Sequence, residues 1–136
     1  MTAVVGDFRW PIRVYYEDTD AGGVVYHTGY IRYFERARTE WLRTLGYSQK
    51  RLSEVEGVLF TVVDLQIRYR KPARLDDLLE VVTRAELAGH ASVMFEQQLM
   101  APRGELLVEG KVRVACVDAQ SFRPRRLPGW IVEGLV

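Results

Sequence analysis

Apolar positions along the chain follow two periods, and the switch between them predicts the architecture. From Tyr30 the apolar residues are Tyr30, Tyr33, Phe34, Ala37, Trp41 and Leu45, spaced near 3.6 residues as in an amphipathic helix. Arg32, Glu35, Arg36, Arg38, Glu40 and Arg43 fill the other face, with Arg36 and Glu40 at the spacing of an intrahelical ion pair. Gly46 suits the left-handed position that stops such a helix. At 1.5 Å rise, roughly 17 residues give a rod about 25 Å long. Ser48 to Val55 reads as a second, short helix with Ser48 as its N-cap.

Elsewhere the period is two. Pro11 to Tyr16 reads as a first strand, with Ile12, Val14 and Tyr16 alternating against Arg13 and Tyr15. In the next strand Val63, Leu65, Ile67 and Tyr69 form an apolar face, while Asp64, Gln66, Arg68 and Arg70 lie opposite. Lys71-Pro72 closes it. Leu78 to Leu87, Ala91 to Met100 and Leu106 to Val117 read as three further strands, joined by hairpin turns at Gly89-His90 and Pro102-Arg103-Gly104. A helix followed by an antiparallel meander is an α+β arrangement, with the helical stripe buried against one sheet face.

Size and charge narrow the function classes. At 136 residues, residues 1–136 are expected to form a single domain. With 48% hydrophobic and 27% charged residues the chain reads as globular rather than disordered. Its 19 Lys+Arg against 18 Asp+Glu leave +1, which points to neither a nucleic acid nor a membrane surface as partner. No apolar run reaches the roughly 20 residues of a membrane span. The first eight residues show no secretory pattern, and the lone Cys116 has no internal disulfide partner. A cytoplasmic location is the expectation.

The candidate chemistry sits between the first strand and the helix, in Asp18-Thr19-Asp20-Ala21-Gly22-Gly23-Val24-Val25-Tyr26-His27. Two carboxylates on a glycine-bearing turn precede a helix whose first N–H groups lack intrahelical partners and carry the positive end of its dipole. Such N–H groups can hold a carbonyl oxygen while a carboxylate does proton or nucleophilic chemistry. The plain alternative is a turn and a helix cap, but two aspartates, two glycines and a histidine exceed what a turn needs.

Other sites find less support. A calcium loop counted from Asp18 ends on Gly29 rather than glutamate, and no two-histidine set lies nearby, so no metal is expected. No Gly-x-Ser-x-Gly elbow occurs. Cys116 lies in an apolar strand and reads as packing rather than nucleophile, and His90 as a solvated turn residue.

The run Arg13-Val14-Tyr15-Tyr16-Glu17-Asp18-Thr19-Asp20, continued through His27 and then by Tyr33-Phe34-Glu35-Arg36-Ala37-Arg38-Thr39-Glu40, resembles the hotdog-fold acyl-CoA thioesterases. It is most similar to their YbgC-type, Tol–Pal-associated branch, a relative of 4-hydroxybenzoyl-CoA thioesterase. Pro72-Ala73-Arg74-Leu75-Asp76-Asp77 and Cys116-Val117-Asp118 extend the likeness over nearly the whole chain. The resemblance implies a hotdog fold, a five-stranded antiparallel sheet wrapped around one long central helix. It implies two-fold dimers joined into a larger sheet or stacked as tetramers, with sites at subunit interfaces.

It also implies Asp20 as the catalytic carboxylate, as nucleophile or general base. The backbone N–H of His27 would polarise the thioester carbonyl, with its imidazole as a second candidate group. Asp18 and Tyr26 are then supporting residues, Asp18 by bonding backbone N–H groups of the turn. No cofactor is implied, because coenzyme A is part of the substrate. Arg68, Arg70, Lys71 and Arg74, and more remotely Arg123, Arg125 and Arg126, are candidates for its phosphates. Thioesters on acyl carrier protein are a further candidate substrate. The rivals are an enoyl-CoA hydratase or dehydratase on the same fold, using an Asp–His pair, and a non-catalytic module that binds acyl thioesters.

Overall fold

A computed structural model describes residues 7–135. Five strands form one antiparallel sheet: β1 (Phe8–Arg13), β2 (Val58–Tyr69), β3 (Leu78–Leu87), β4 (Ser92–Met100) and β5 (Leu106–Asp118). Their order is β1-β3-β4-β5-β2, which leaves β1 and β2 at the edges. Helix α1 (Gly29–Thr44) packs on one face. Near Phe34 the approach is close enough that a Cβ on Gly110 of β5 would sit 2.9 Å from the ring.

The helical stripe explains that packing. Tyr30, Tyr33, Phe34 and Ala37 are buried in one apolar cluster with Ile12, Val14, Val25, Ala73, Val81 and Leu99. Trp41 and Leu42 belong to a second, with Phe95, Val112, Val114, Cys116 and Ile131. One helix thus bridges two halves of the core. A polar seam crosses the same interface. The buried Gln97 side chain donates to the Phe34 carbonyl and to Thr83 Oγ1, both at 3.0 Å, and accepts from Arg38 at 3.0 Å. Every strong donor and acceptor of that amide is used, so it costs little to bury.

Several boundaries differ from the sequence reading. The first strand lies earlier, because after Arg13 the backbone leaves the sheet and Tyr16–Asp18 forms a 3₁₀ turn. Helix α1 spans 16 residues, and Gly46 has the left-handed backbone expected of a stop (φ 99°). The Ser48 hydroxyl does cap, accepting from the Arg51 N–H, but the segment it opens is only the turn α2 (Gln49–Arg51) followed by a π-turn, Leu52–Glu56. Arg36 does not pair with Glu40. Its guanidinium lies over the Tyr33 ring, and Glu40 pairs with Arg43 one turn further on. In β2 the register shifts between Val62 and Asp64, so Val63 is a bulge residue rather than part of the apolar face. That face is Val62, Leu65, Ile67 and Tyr69, opposite Val114, Val112, Gly110 and Val108. A short helix α3 (Gly129–Gly134), not anticipated from the sequence, places Ile131 in the second cluster.

Candidate functional site

The aspartate turn is a small, heavily bonded loop. Thr19 and Val25 pair across it, the Asp20 N–H donates to the Val24 carbonyl at 2.9 Å, and the Gly23 N–H closes a β-turn on the Asp20 carbonyl at 3.0 Å. Gly23 has φ 79°, a conformation that side chains with a Cβ disfavour. The turn is also stitched to the segment ahead of β3: Val24 bridges Arg74, and the Val25 N–H donates to the Ala73 carbonyl at 2.9 Å. The aspartate turn and residues 72–77, two of the segments that carry the sequence resemblance, are therefore one structural unit.

Within it the two aspartates have different surroundings. Asp18 is half-buried, and its Oδ2 accepts the Tyr15 N–H at 2.9 Å while its carbonyl accepts the Tyr26 N–H at 3.0 Å. It neighbours the buried Tyr33, whose phenol is pushed above its ordinary value by burial and then by the Asp18 charge, although no hydrogen bond of good geometry joins the two. Asp20 is exposed. One carboxylate oxygen accepts the Gly22 N–H at 2.8 Å, the turn-capping bond of the plain reading. The other is left free among the described residues. Its charge reaches Tyr30, where burial, then the Tyr69 hydroxyl and the Asp20 carboxylate, raise the phenol against a lowering bond from the Ala73 N–H.

Helix α1 begins without a side-chain cap: Thr28 has helical dihedrals and its hydroxyl makes no capping bond. The Gly29 N–H reaches back to the Tyr26 carbonyl at 2.8 Å and the Ile31 N–H to the Thr28 carbonyl at 3.2 Å. Among the described residues the His27 and Thr28 N–H groups have no acceptor. An uncapped helix start with unused donors suits a ligand oxygen with partial negative charge. The His27 ring is exposed, packs on Tyr26 with centroids 4.3 Å apart, and makes no hydrogen bond to Asp20.

The four basic candidates are dispersed. Arg68 points from the charged face of the sheet, where it lines a groove of about 810 Å³ that includes no residue of the aspartate turn. Arg70 is held by Glu109 at 2.7 Å and Lys71 by Glu105. Both border a second cavity, of about 240 Å³, with Tyr30, Tyr69 and Pro72. Arg74 lies against the aspartate turn and its side chain makes no ion pair among the described residues. In the C-terminal cluster Arg125 is held by Asp118 at 3.0 Å.

Cys116 is fully buried, and burial raises its thiol. His90 is exposed and contributes its carbonyl to the Leu127 N–H. Among the described residues no three His, Cys, Asp or Glu side chains are placed to hold a metal, and no helix is long and apolar enough to cross a membrane.

Sequence reasoning missed Tyr30 and Tyr69 as site residues. Both occupy apolar positions of their elements, yet both hydroxyls bond backbone around the helix start: Tyr30, on the helix, accepts the Ala73 N–H of the β2–β3 loop at 3.1 Å, and Tyr69 donates to the His27 carbonyl at 2.8 Å. Their signal is a phenol, rather than a purely apolar ring, at an apolar position of the pattern, buried for Tyr30 and exposed for Tyr69.

Comparison with known proteins gives a consistent result. Residues 14–135 match the family model described as the thioesterase-like superfamily. The chain is 50% identical over 125 residues to an acyl-CoA thioester hydrolase YbgC of Escherichia coli, covering 92% of each. It is likewise 50% identical over 122 residues to an acyl-CoA thioesterase YbgC of Haemophilus influenzae, covering 89% of this chain and 88% of that one. Among solved structures, a probable thioesterase from Bartonella henselae is 38% identical with a TM-score of 0.84, over 90% of this chain and 99% of that one. A 1,4-dihydroxy-2-naphthoyl-CoA thioesterase from Synechocystis, 22% identical, shares the hotdog fold with a TM-score of 0.90 over 96% of each chain.

Proposed function

Because this chain belongs to the thioesterase-like superfamily and, within it, to the YbgC-type thioesterases, we propose that it hydrolyses acyl-coenzyme A to a carboxylic acid and the free thiol. The observation that carries the reading is the free carboxylate oxygen of Asp20, on a turn braced beside the unused His27 and Thr28 N–H groups. The carbonyl oxygen of the thioester is received by the His27 N–H, which stabilises the charge that develops there. Asp20 takes a proton from water as water adds to the carbonyl carbon, or adds to that carbon itself to form an anhydride that water then opens. Either way the carbon–sulfur bond breaks with both electrons leaving on sulfur. A thiolate is a good leaving group, so no acid is needed at that position.

Arg74, beside the turn, is the strongest of the four candidates for a coenzyme A phosphate, since Arg70 and Lys71 must first leave Glu109 and Glu105. The sheet wraps the α1 helix as the central rod of the hotdog. The chain works in the cytoplasm as a dimer, or as a tetramer of two dimers. What supports the dimer is the outer edge of β2, unpaired among the described residues, with Val62, Val63 and Leu65 exposed along it. An open, apolar edge is a template for a second copy.

The test is thiol release from acyl-CoA of several chain lengths by the purified chain. Stoichiometric thiol with turnover supports the reading. Hydration of an enoyl-CoA without thiol, or binding without turnover, replaces it with one of its rivals.

A further inference from the structure

The His27 and Thr28 N–H groups are useful to an oxyanion only if their peptide planes are fixed. Each of the two planes has its own anchor. The peptide that carries the His27 N–H is held at its other end, where the Tyr26 carbonyl accepts the Gly29 N–H at 2.8 Å, a bond made within the helix start. The peptide that carries the Thr28 N–H is held through the His27 carbonyl, and its anchor is distant in sequence: the Tyr69 hydroxyl donates to it at 2.8 Å.

Tyr69 is well placed for this. It is the last residue of β2, its ring meets that of Tyr30 edge-on with centroids 5.6 Å apart, and Tyr30 is in turn anchored by the Ala73 N–H. Ala73 also bonds the aspartate turn through its carbonyl. One connected set of contacts therefore runs from the edge strand through the helix start to the turn bearing Asp20. The same Tyr69 ring walls the 240 Å³ cavity.

We propose that Tyr69 is a positioning residue of the thioester site, fixing through its hydroxyl the His27–Thr28 peptide, whose single donor, the Thr28 N–H, joins the His27 N–H in receiving the thioester oxygen. This rests on the hydrolase reading above. A hydrogen bond to a peptide carbonyl also polarises the N–H of the same unit, so the tether strengthens the Thr28 donor as well as aiming it. The aim matters because small displacements of a positioned group cost large factors in rate. A residue that merely tied β2 to the helix would instead act on stability alone.

The experiment compares the native chain with Tyr69→Phe, which removes only the hydroxyl, and Tyr69→Met, which also removes the ring contact with Tyr30. Hydrolysis of butyryl-, octanoyl- and palmitoyl-CoA is followed by thiol release, and the Thr28 amide is followed by nuclear magnetic resonance. With the substrate the native chain turns over fastest, Tyr69→Phe lowers kcat on the order of tenfold and leaves KM within about twofold. Tyr69→Met shows the same loss, and in both the Thr28 amide proton moves upfield. Native kcat in Tyr69→Phe, an unmoved Thr28 amide, or a kcat loss confined to Tyr69→Met overturns the proposal while leaving the hydrolase reading intact. So does loss of the native circular dichroism spectrum in Tyr69→Phe, which makes the hydroxyl structural. A native chain that releases thiol from none of the three substrates overturns both.

Discussion

The Tyr30 hydroxyl accepts the Ala73 N–H at 3.1 Å, so the first turn of α1 is tied to the loop that carries β2 into β3. Both groups are buried, and Tyr30 sits in the apolar cluster beneath the aspartate turn. Removing the hydroxyl leaves a buried amide without a partner, a loss worth about 1–3 kcal/mol. Tyr30→Phe is therefore expected to lose that much stability and to unfold at a lower urea midpoint. An unchanged midpoint shows that the Ala73 N–H finds another acceptor.

Gly110 sets how closely α1 lies on the sheet. A Cβ there would stand 2.9 Å from Phe34 Cε2 and 3.0 Å from Ile67 Cδ1. Neither ring nor branched chain can yield without moving other buried groups, so Gly110→Ala is expected to destabilise the fold by about 1–3 kcal/mol. Combining it with Phe34→Leu should recover part of that loss, which a double-mutant cycle in urea measures. Additive losses contradict the close approach.

Asp118 gives the stability an acid-sensitive part. Its carboxylate accepts the Ser121 and Gln120 N–H groups at 2.9 Å and the Arg125 guanidinium at 3.0 Å, which hold its pKa down to about 2. The unfolded value is near 3.9. The folded state binds the proton less readily, so the stabilisation is full above the unfolded value and is lost as pH falls through about 4 towards 2. Asp118→Asn is expected to flatten the stability profile over that window, and urea unfolding at stepped pH reads it. A variant with the native slope shows that other carboxylates carry it.

The elements of the fold were legible where periodicity is long. The stripe from Tyr30 to Trp41 marks α1, and the alternation in the last three strands gives their spans within a residue. The failures have local causes. Tyr15 and Tyr16 continue the alternation of β1 in sequence, but the Asp18 side chain captures the Tyr15 N–H and converts the strand end into a 3₁₀ turn. The bulge at Val63 was hidden because Val62 before it is also valine, so Val63 fits the apolar alternation with Leu65 as well as Val62 does. Arg36 stands at the right spacing for Glu40, yet Arg43 reaches the same carboxylate from the next turn.

For the site, the aspartate turn was visible because its residue types are dense in chemistry. Its bracing by Ala73 and Arg74 joins residues some fifty positions apart, and no local pattern encodes that pairing. Tyr30 and Tyr69 were hidden for another reason. A tyrosine at an apolar position of the pattern satisfies it with its ring, and only the fold shows where its hydroxyl goes.

The central claim is that Asp20 provides the reactive carboxylate beside the helix start. Its most direct test is the rate of thiol release from acyl-CoA by Asp20→Asn against the native chain, with both checked for the same circular dichroism spectrum and melting temperature. Asparagine keeps an oxygen to accept the Gly22 N–H, so the turn is retained. The account predicts a fall in kcat on the order of 10²–10⁴-fold with the fold intact. A folded Asp20→Asn that turns over acyl-CoA at the native rate contradicts it.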